Sequence, residues 1–494
     1  MEISIRFRAF LLICSLIISL SLFLFNDLMT IWSGAEASWL WASLSSDKTS
    51  FLPLMGMKIL ARTQENFPFV PRVTGAVLFL ASVLGFYHIA KPYLGKMVVL
   101  LAALVLGAGF LIPVLSKLAT LDIWIFSFHF LTFFTMIRYL KQPDVIWRGL
   151  FYLGLSFSIL VQPVSALVFL MGSAAFLWWK HPQGRRLVTL NPWIAGLLLT
   201  IVFHFSGLLH WQNEWLIFSS TGADFGKYML FNFIGILPFV GFWVGGLRDL
   251  LYKLKKGEEM ALMLISLILF SVLAQSPVLQ AGFALMITKQ MLLFSDEQYP
   301  FKTWVRATTI IHLLFAFVLS VLLMLGGMTE FGGLGFRSGL IFSFMYWAVG
   351  LIGIFGLYGT QRTMLIGGPV ASGVLSMFIF WMQLYPLLES QRNLPKRLVE
   401  KVEVLENAPF FEKIFIAVPK ENRPSNLAVY AKLAFPAAEI IEMDTTEADN
   451  EWEKTPKSIL FRPVGQSEIP SEGIVILKGW NDQLKKVTWS VQPK

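Results

Sequence analysis

Charged side chains are scarce in this chain. Asp, Glu, Lys and Arg make up 14% of its 494 residues, whereas 56% of the residues are hydrophobic. An average soluble domain is about 25% charged. A water-soluble globular protein of this length is therefore excluded, and ionic chemistry is confined to a few loops and helix ends.

Cysteine and histidine are also rare, which limits metal and redox chemistry. The single cysteine, Cys14, excludes a disulfide or a thiolate metal cluster within the chain. The histidines are scattered and show no HxxxH spacing; they are His88, His129, His181, His204, His210 and His312. We expect them to be hydrogen-bonded interior or interface residues, and we predict neither a metal nor a cofactor.

Apolar stretches fill residues 9–385. We count about thirteen, most of them near the roughly 20 residues that a bilayer-spanning helix needs. The first, 9–25, lacks a small-residue cleavage site and is predicted to be a retained span. The others lie near 73–90, 97–114, 120–138, 149–161, 164–179, 192–210, 229–247, 260–274, 277–293, 307–326, 338–358 and 364–385. The sequence thus predicts an all-α polytopic membrane domain over residues 1–390.

Basic residues set the predicted orientation, because Lys and Arg near span ends are retained on the cytoplasmic side. Alternate loops contain them: Arg6 and Arg8; Lys91 and Lys96; Arg138, Lys141 and Arg148; Lys180, Arg185 and Arg186; Arg248, Lys253, Lys255 and Lys256. The N-terminus is therefore predicted to be cytoplasmic, and the odd number of spans then makes the C-terminus extracytoplasmic. This bias accounts for most of the net charge of +9, so we do not interpret that charge as a nucleic-acid footprint.

The last hundred or so residues have a different character. The segment LPKRLVEKVEVL favours a helix with one apolar face, and EKIFIAV, AEIIEM, SILFRPV, GIVILKG and KKVTWSV are short β-type runs separated by turn residues. Residues 391–494 are predicted to form a small α/β extracytoplasmic domain. It contains no Gly-rich phosphate loop and no GxSxG motif, and we assign it no chemistry.

The long first outer loop, residues 27–72, is the main candidate for function, since loops of this length are usually functional. Glu36 lies where a short helix is predicted to begin, so its carboxylate could either interact with the helix dipole or act in catalysis. Three cations follow, Lys58, Arg62 and Arg72. Each could snorkel to lipid phosphate or hold a phosphate substrate.

Lys117 and Asp122 lie where the third span gives way to the fourth. Ionisable residues flanked by Leu and Ile are costly against lipid, so we expect them to face the protein interior or a water-filled cavity. The simpler alternative is an ion pair between the two at the membrane surface.

The order of several segments resembles the GT-C glycosyltransferases, in particular the bacterial ArnT-like, protein-mannosyltransferase-like branch. These segments are WSGAEASWLWASL, FLPL, FPFVPRVTGAVLF, IPVLSKLATLDIWIFSF and RGLFYLGLSFSILVQPVSALVF. The resemblance implies about thirteen spans, a periplasmic C-terminal domain and a polyprenyl-phosphate-linked sugar donor. It implies that the membrane is the cytoplasmic (inner) membrane. It also implies a catalytic role for Glu36 and Asp122, and donor-phosphate binding by Arg72, Lys117, Lys58 and Arg62.

This chain departs from the family pattern at several motif positions. The acidic pair reads Ala35-Glu36, the KPPL motif reads FLPL, and Pro68 replaces the glutamate that precedes the family arginine. The KGP motif reads Gln162-Pro163, and Gln275 lies near the expected lysine. Several basic residues that would hold a polyprenyl phosphate are therefore absent.

Three functions are consistent with these residues. The first is a hexosyl- or pentosyltransferase that moves a sugar from a polyprenyl-phosphate donor to an envelope lipid, glycan or protein acceptor on the outer membrane face. The second is a catalytically silent GT-C relative that scaffolds or regulates envelope glycan assembly, which the motif departures favour. The third is a transporter or flippase, for which repeat symmetry and mid-span charges are expected. We see neither in the sequence.

Overall fold

The computed structural model describes residues 5–24, 40–41, 69–206, 208, 222–296, 298–359, 361–403, 411–418, 425–464, 475–480 and 486–493. A helical bundle comes first, followed by a small mixed sheet with its own helices. The bundle helices are α1 (Ile5–Phe23), α2 (Phe69–Leu94), α3 (Lys96–Ala108), α4 (Leu111–Lys117), α5 (Asp122–Lys141), α6 (Val145–Val161), α7 (Pro163–Lys180), α8 (Arg186–Leu190), α9 (Pro192–Phe205), α10 (Gly222–Gly235), α11 (Val240–Lys255), α12 (Glu259–Leu273), α13 (Leu279–Leu293), α14 (Lys302–Gly359) and α15 (Arg362–Ile379).

Every predicted apolar stretch coincides with one or more of these helices. In the described part of the chain, six helices are long and apolar enough to cross a membrane, and two bent pairs raise the number to eight. One bent pair is α3 with α4, which meet at 66°. Others, such as the 15 residues of α12, are shorter than a bilayer requires. The chain is thus a multispan helical protein, and the number thirteen stays a prediction.

Helix α14 is a hairpin rather than one long rod. The chain turns at Gly332, whose φ of 64° is readily adopted only by glycine. The two halves then run antiparallel. A hydrogen bond between them shows this, since the Trp347 indole N–H in the second half donates to the Leu313 carbonyl in the first half at 3.0 Å. Residues 327–337, which separate the predicted spans 307–326 and 338–358 and are therefore predicted to form a loop, are helical on both sides of this turn.

Helix α15 crosses the second half of α14 at very short range. A Cβ added to Gly368 would lie 2.3 Å from the backbone nitrogen of Gly353. We therefore expect Gly368→Ala to destabilise the protein by about 1–3 kcal/mol, since the backbone must shift. Gly149→Ala is the matched control: its added Cβ meets nothing within 4 Å, so the change should be stabilising by about 0.5–1 kcal/mol. Thermal unfolding in detergent measures both, and equal Tm values would contradict the close crossing.

The two ends of the bundle differ in charge. Helices α2 and α5 run parallel, with Phe79 near Phe126 and Phe86 near Phe134, at ring-centroid distances of 6.4 and 4.7 Å. Their first turns therefore lie together at one end, which we call the site end. The opposite end, which we call the basic end, holds Lys91 and Lys141 in the last turns of these helices. There Lys141 forms an ion pair with Glu259 at the start of α12.

The C-terminal region is built on a five-stranded sheet. Its strands are β1 (Lys413–Ala417), β2 (Glu439–Met443), β3 (Ser458–Val464), β4 (Val475–Trp480) and β5 (Lys486–Pro493), in the order β2-β1-β3-β5-β4. β1 is parallel to β2 and β3, and β5 is antiparallel to β3 and β4. The helices are α16 (Tyr385–Arg392), α17 (Leu394–Glu403), α18 (Asn426–Ala434) and α19 (Thr445–Lys454). All five predicted β-type runs are strands, and the predicted amphipathic helix is α17; the boundary at residue 390 stays a prediction.

This C-terminal region packs on the site end of the bundle. Its hydrophobic core includes the apolar face of α17, with Leu398 and Val402 buried, and extends to Leu40 of the first loop and to Ala119. Ala119 belongs to the short turn between α4 and α5, next to Lys117. The C-terminal region therefore helps to fix the geometry of that turn.

Candidate functional site

Lys117 is the last residue of α4 and is fully buried. Its ammonium donates to three carbonyls at the end of α1, those of Ser21, Leu22 and Leu24, at 2.9, 3.4 and 2.6 Å. The last carbonyls of a helix have no partner within the helix and carry its negative dipole. Lys117 thus caps α1 from another helix, and this accounts for part of its burial.

An aromatic wall lies beside Lys117. The ammonium is 4.7 Å from the centroid of the Trp381 ring, a cation–π contact. Trp381 belongs to a π-helical turn, Phe380–Leu384, that follows α15. It packs with Tyr385, whose hydroxyl donates to the Glu389 carboxylate at 2.5 Å. Such π-helical turns occur frequently at functional sites.

Arg72 is also fully buried and lies in the first turn of α2. Its guanidinium is close enough to Lys117 to repel the ammonium electrostatically. The close approach has a local cause at Gly75, where an added Cβ would be 2.7 Å from the Ser116 carbonyl oxygen. Glycine at that position lets α2 lie directly against α4, and this brings the two cations together.

Asp122 begins α5, beside the same turn, and is half-buried. Its carboxylate accepts a hydrogen bond from the Thr120 hydroxyl at 3.1 Å. A carboxylate in the first turn of a helix is also stabilised by the helix dipole. Within the described residues, Lys117 bonds to α1 carbonyls rather than to Asp122, so the ion pair considered as the simpler alternative is not formed.

The remaining predicted site residues, Glu36, Lys58 and Arg62, lie outside the described residues. Two residues of the same loop are described. Leu40 is fully buried in the cluster that contains Ala119, and Trp41 packs against that cluster. The first loop therefore reaches the site end at a point four residues after Glu36.

The structure thus brings together two of the predicted residues, Arg72 and Lys117, and places a third, Asp122, at the start of α5 at the same end of the bundle. It adds Trp381 and Tyr385, which the sequence reasoning did not select. One signal for them was available, because WMQLYP is the last aromatic-rich segment before the polar tail. Among the described residues, no group of three or more His, Cys, Asp or Glu side chains is placed to hold a metal ion.

Comparison with known proteins identifies the fold. Residues 52–211 match the family described as dolichyl-phosphate-mannose-protein mannosyltransferase. The structure is similar to crystal structures of ArnT from Cupriavidus metallidurans, in the apo state (TM-score 0.63, 11% identity) and bound to undecaprenyl phosphate (TM-score 0.60, 12% identity). Each match covers 98% of this chain and 97% of the ArnT chain. A search of curated protein sequences gave no match.

These likenesses show a GT-C fold over nearly the whole chain. Residues 52–211 are also similar to the mannosyltransferase family, and both findings agree with the resemblance to GT-C glycosyltransferases that the order of the sequence segments predicts.

Proposed function

We propose that this protein transfers a sugar from a polyprenyl-phosphate-linked donor to an envelope lipid, glycan or protein acceptor on the outer face of the cytoplasmic membrane. The observation that carries the proposal is the pair of buried cations, Arg72 and Lys117, at the end of the bundle where Asp122 begins α5. The ArnT relative with the same fold binds undecaprenyl phosphate, and this supports the same class of donor here.

The proposed chemistry requires both kinds of charge. The acceptor hydroxyl attacks the anomeric carbon of the donor sugar, the bond from that carbon to the phosphate oxygen breaks, and the polyprenyl phosphate leaves with the electron pair. Arg72 and Lys117, assisted by Lys58 and Arg62, stabilise the negative charge on the leaving phosphate. Glu36 accepts the hydroxyl proton, and Asp122 orients the acceptor or one of the cations.

Burial strengthens such a site. Electrostatic attraction grows as the effective dielectric falls, so two buried cations attract a phosphate more strongly than two exposed ones do. Trp381 and Tyr385 offer aromatic faces on which a sugar ring or a prenyl chain can pack.

Binding of undecaprenyl phosphate tests the donor site. Native mass spectrometry of the purified protein should detect one bound molecule, and Arg72→Gln should weaken the binding by about tenfold or more, since one charge-assisted contact is lost. The matched control is Arg185→Gln, an exposed arginine at the basic end. Equal binding by the two folded variants would exclude Arg72 from the donor site.

The catalytically silent scaffold is the second candidate, and one observation favours it. The Lys117 ammonium already donates to three carbonyls of α1. These hydrogen bonds are structural, whereas the transferase hypothesis requires the same ammonium to bind the donor phosphate. Under this alternative the GT-C fold would be kept for its surfaces, and the site residues would be dispensable one by one.

The proposed transferase activity also requires a defined orientation of the protein in the membrane, with the site end on the outer face. The site end is opposite to the basic end, which the distribution of Lys and Arg predicts to be cytoplasmic. We therefore expect an alkaline phosphatase reporter fused after Lys494 to be active, because the C-terminal region packs on the site end. A reporter that functions only in the cytoplasm, active at the same position, would overturn the predicted orientation.

A further inference from the structure

A groove of about 610 Å³ runs between α1, α2 and α3, away from the candidate site. Its walls are mostly hydrocarbon, and its back is formed by α2, where Phe79, Leu80 and Val83 line it. The groove is open at the side, since Leu12 on its wall is 71% exposed. In a membrane, this opening faces the lipid.

The groove has a closed end and a charged end. Helices α1 and α3 run parallel and touch at Gly107, where an added Cβ would be 3.0 Å from Ile18 side-chain carbons. At the other end the lining includes two exposed cations on different helices, Arg8 and Lys96. The described residues form no ion pair with either cation.

The length of the groove matches one leaflet of a bilayer. Eleven residues separate Lys96 from Gly107, which at about 1.5 Å per residue gives a depth of about 16 Å. The hydrocarbon core of a bilayer is about 30 Å thick, so one leaflet is about 15 Å. The cations therefore lie at headgroup level when the closed end lies near the midplane.

Between its two ends, the described lining residues of the groove offer no free polar group for a polar ligand. The lining hydroxyls of Ser15 and Ser19 donate within α1, to the carbonyls of Leu11 and Ser15, both at 2.9 Å. An apolar chain with a negative head is thus the ligand that complements both parts of the groove.

We propose that this groove binds one anionic glycerophospholipid, with an acyl chain between α1 and α3 and its phosphate between Arg8 and Lys96. The site is at the basic end, and it is separate from the donor site proposed above. It would hold a lipid of the leaflet opposite to the transfer reaction and would support the packing of α1, whose other end is capped by Lys117.

Native mass spectrometry of the whole protein in detergent tests the proposal, with phosphatidylglycerol and phosphatidylcholine added separately. We expect one tightly retained phosphatidylglycerol, and a loss of affinity of about tenfold or more in the double variant Arg8→Gln, Lys96→Gln. The matched control, Arg185→Gln with Lys255→Gln, removes two exposed cations from the same end and should keep the lipid.

A second variant separates a lipid site from simple attraction of anions to a basic surface. Ala103→Phe fills the groove and leaves both cations in place, and it should also lower phosphatidylglycerol retention. Size-exclusion profiles identify variants that fail to fold, and Ala103→Leu then takes the place of the larger substitution. Retention of phosphatidylcholine equal to that of phosphatidylglycerol, equal loss in the control pair, or full retention in the groove-filled variant would each overturn the proposal.

Discussion

Glu36→Gln is expected to abolish most sugar transfer while the protein stays folded. Glutamine has nearly the same size as glutamate, but it cannot accept the proton of the acceptor hydroxyl. Loss of a general base typically lowers the rate by about 10²–10⁴-fold. The rate is measured as incorporation of labelled sugar into the envelope fraction of cells in which the variant is the only copy.

The matched control is Glu330→Gln. Glu330 is exposed and precedes the turn of the α14 hairpin. The substitution Glu330→Gln therefore removes the same negative charge from the same type of side chain, at a residue with no role in the proposed chemistry. Unchanged transfer in a correctly folded Glu36→Gln protein would remove Glu36 from the role of base.

Lys117→Met is expected to damage both stability and function. The variant leaves the last carbonyls of α1 without their ammonium donor, and hydrogen bonds to a charged group are worth about 1.5–3 kcal/mol. It also removes a cation from the proposed phosphate site, and loss of one electrostatic stabiliser of this kind costs about 10²–10³-fold in rate. Thermal unfolding and transfer per folded molecule measure the two effects separately.

Lys255→Met is the control for Lys117, because Lys255 is exposed at the basic end. It should alter neither quantity. A Lys117→Met protein that unfolds more easily but retains full transfer per folded molecule would assign Lys117 to the capping of α1 alone.

The sequence predicts the local elements well. Apolar stretches of the right length coincide with the bundle helices, and alternating β-type runs coincide with all five strands, because both depend on short-range periodicity. The end of α6 at Val161 and the start of α7 at Pro163 follow from the proline, which favours the first position of a helix.

Long-range contacts are harder to predict. Lys117 is recognisable as a costly intramembrane cation, but its partners at Ser21 and Leu24 lie more than 90 residues away in the chain. No local pattern indicates that it caps another helix. Trp381 is one of 17 tryptophans, and only packing distinguishes it from the rest.

The position of Arg72 could be predicted only in part from the sequence. A cation at the start of a span favours a position near the membrane surface, where snorkelling would leave it exposed. The structure buries it fully instead, because Gly75 lets α2 approach α4. Burial of a cation beside a second cation is energetically costly, and a phosphate bound at the proposed donor site would offset part of that cost.

One measurement tests the central claim most directly. Mass spectrometry should compare polyprenyl-phosphate sugars and envelope glycans in cells that contain the native chain, the Glu36→Gln variant or no copy at all. A transferase predicts that one lipid-linked sugar accumulates, and that one sugar is missing from the envelope, in both the variant and the deletion. If the deletion alone changes the envelope while Glu36→Gln and Arg72→Gln cells match the native strain, the protein is a scaffold and the transferase account is wrong.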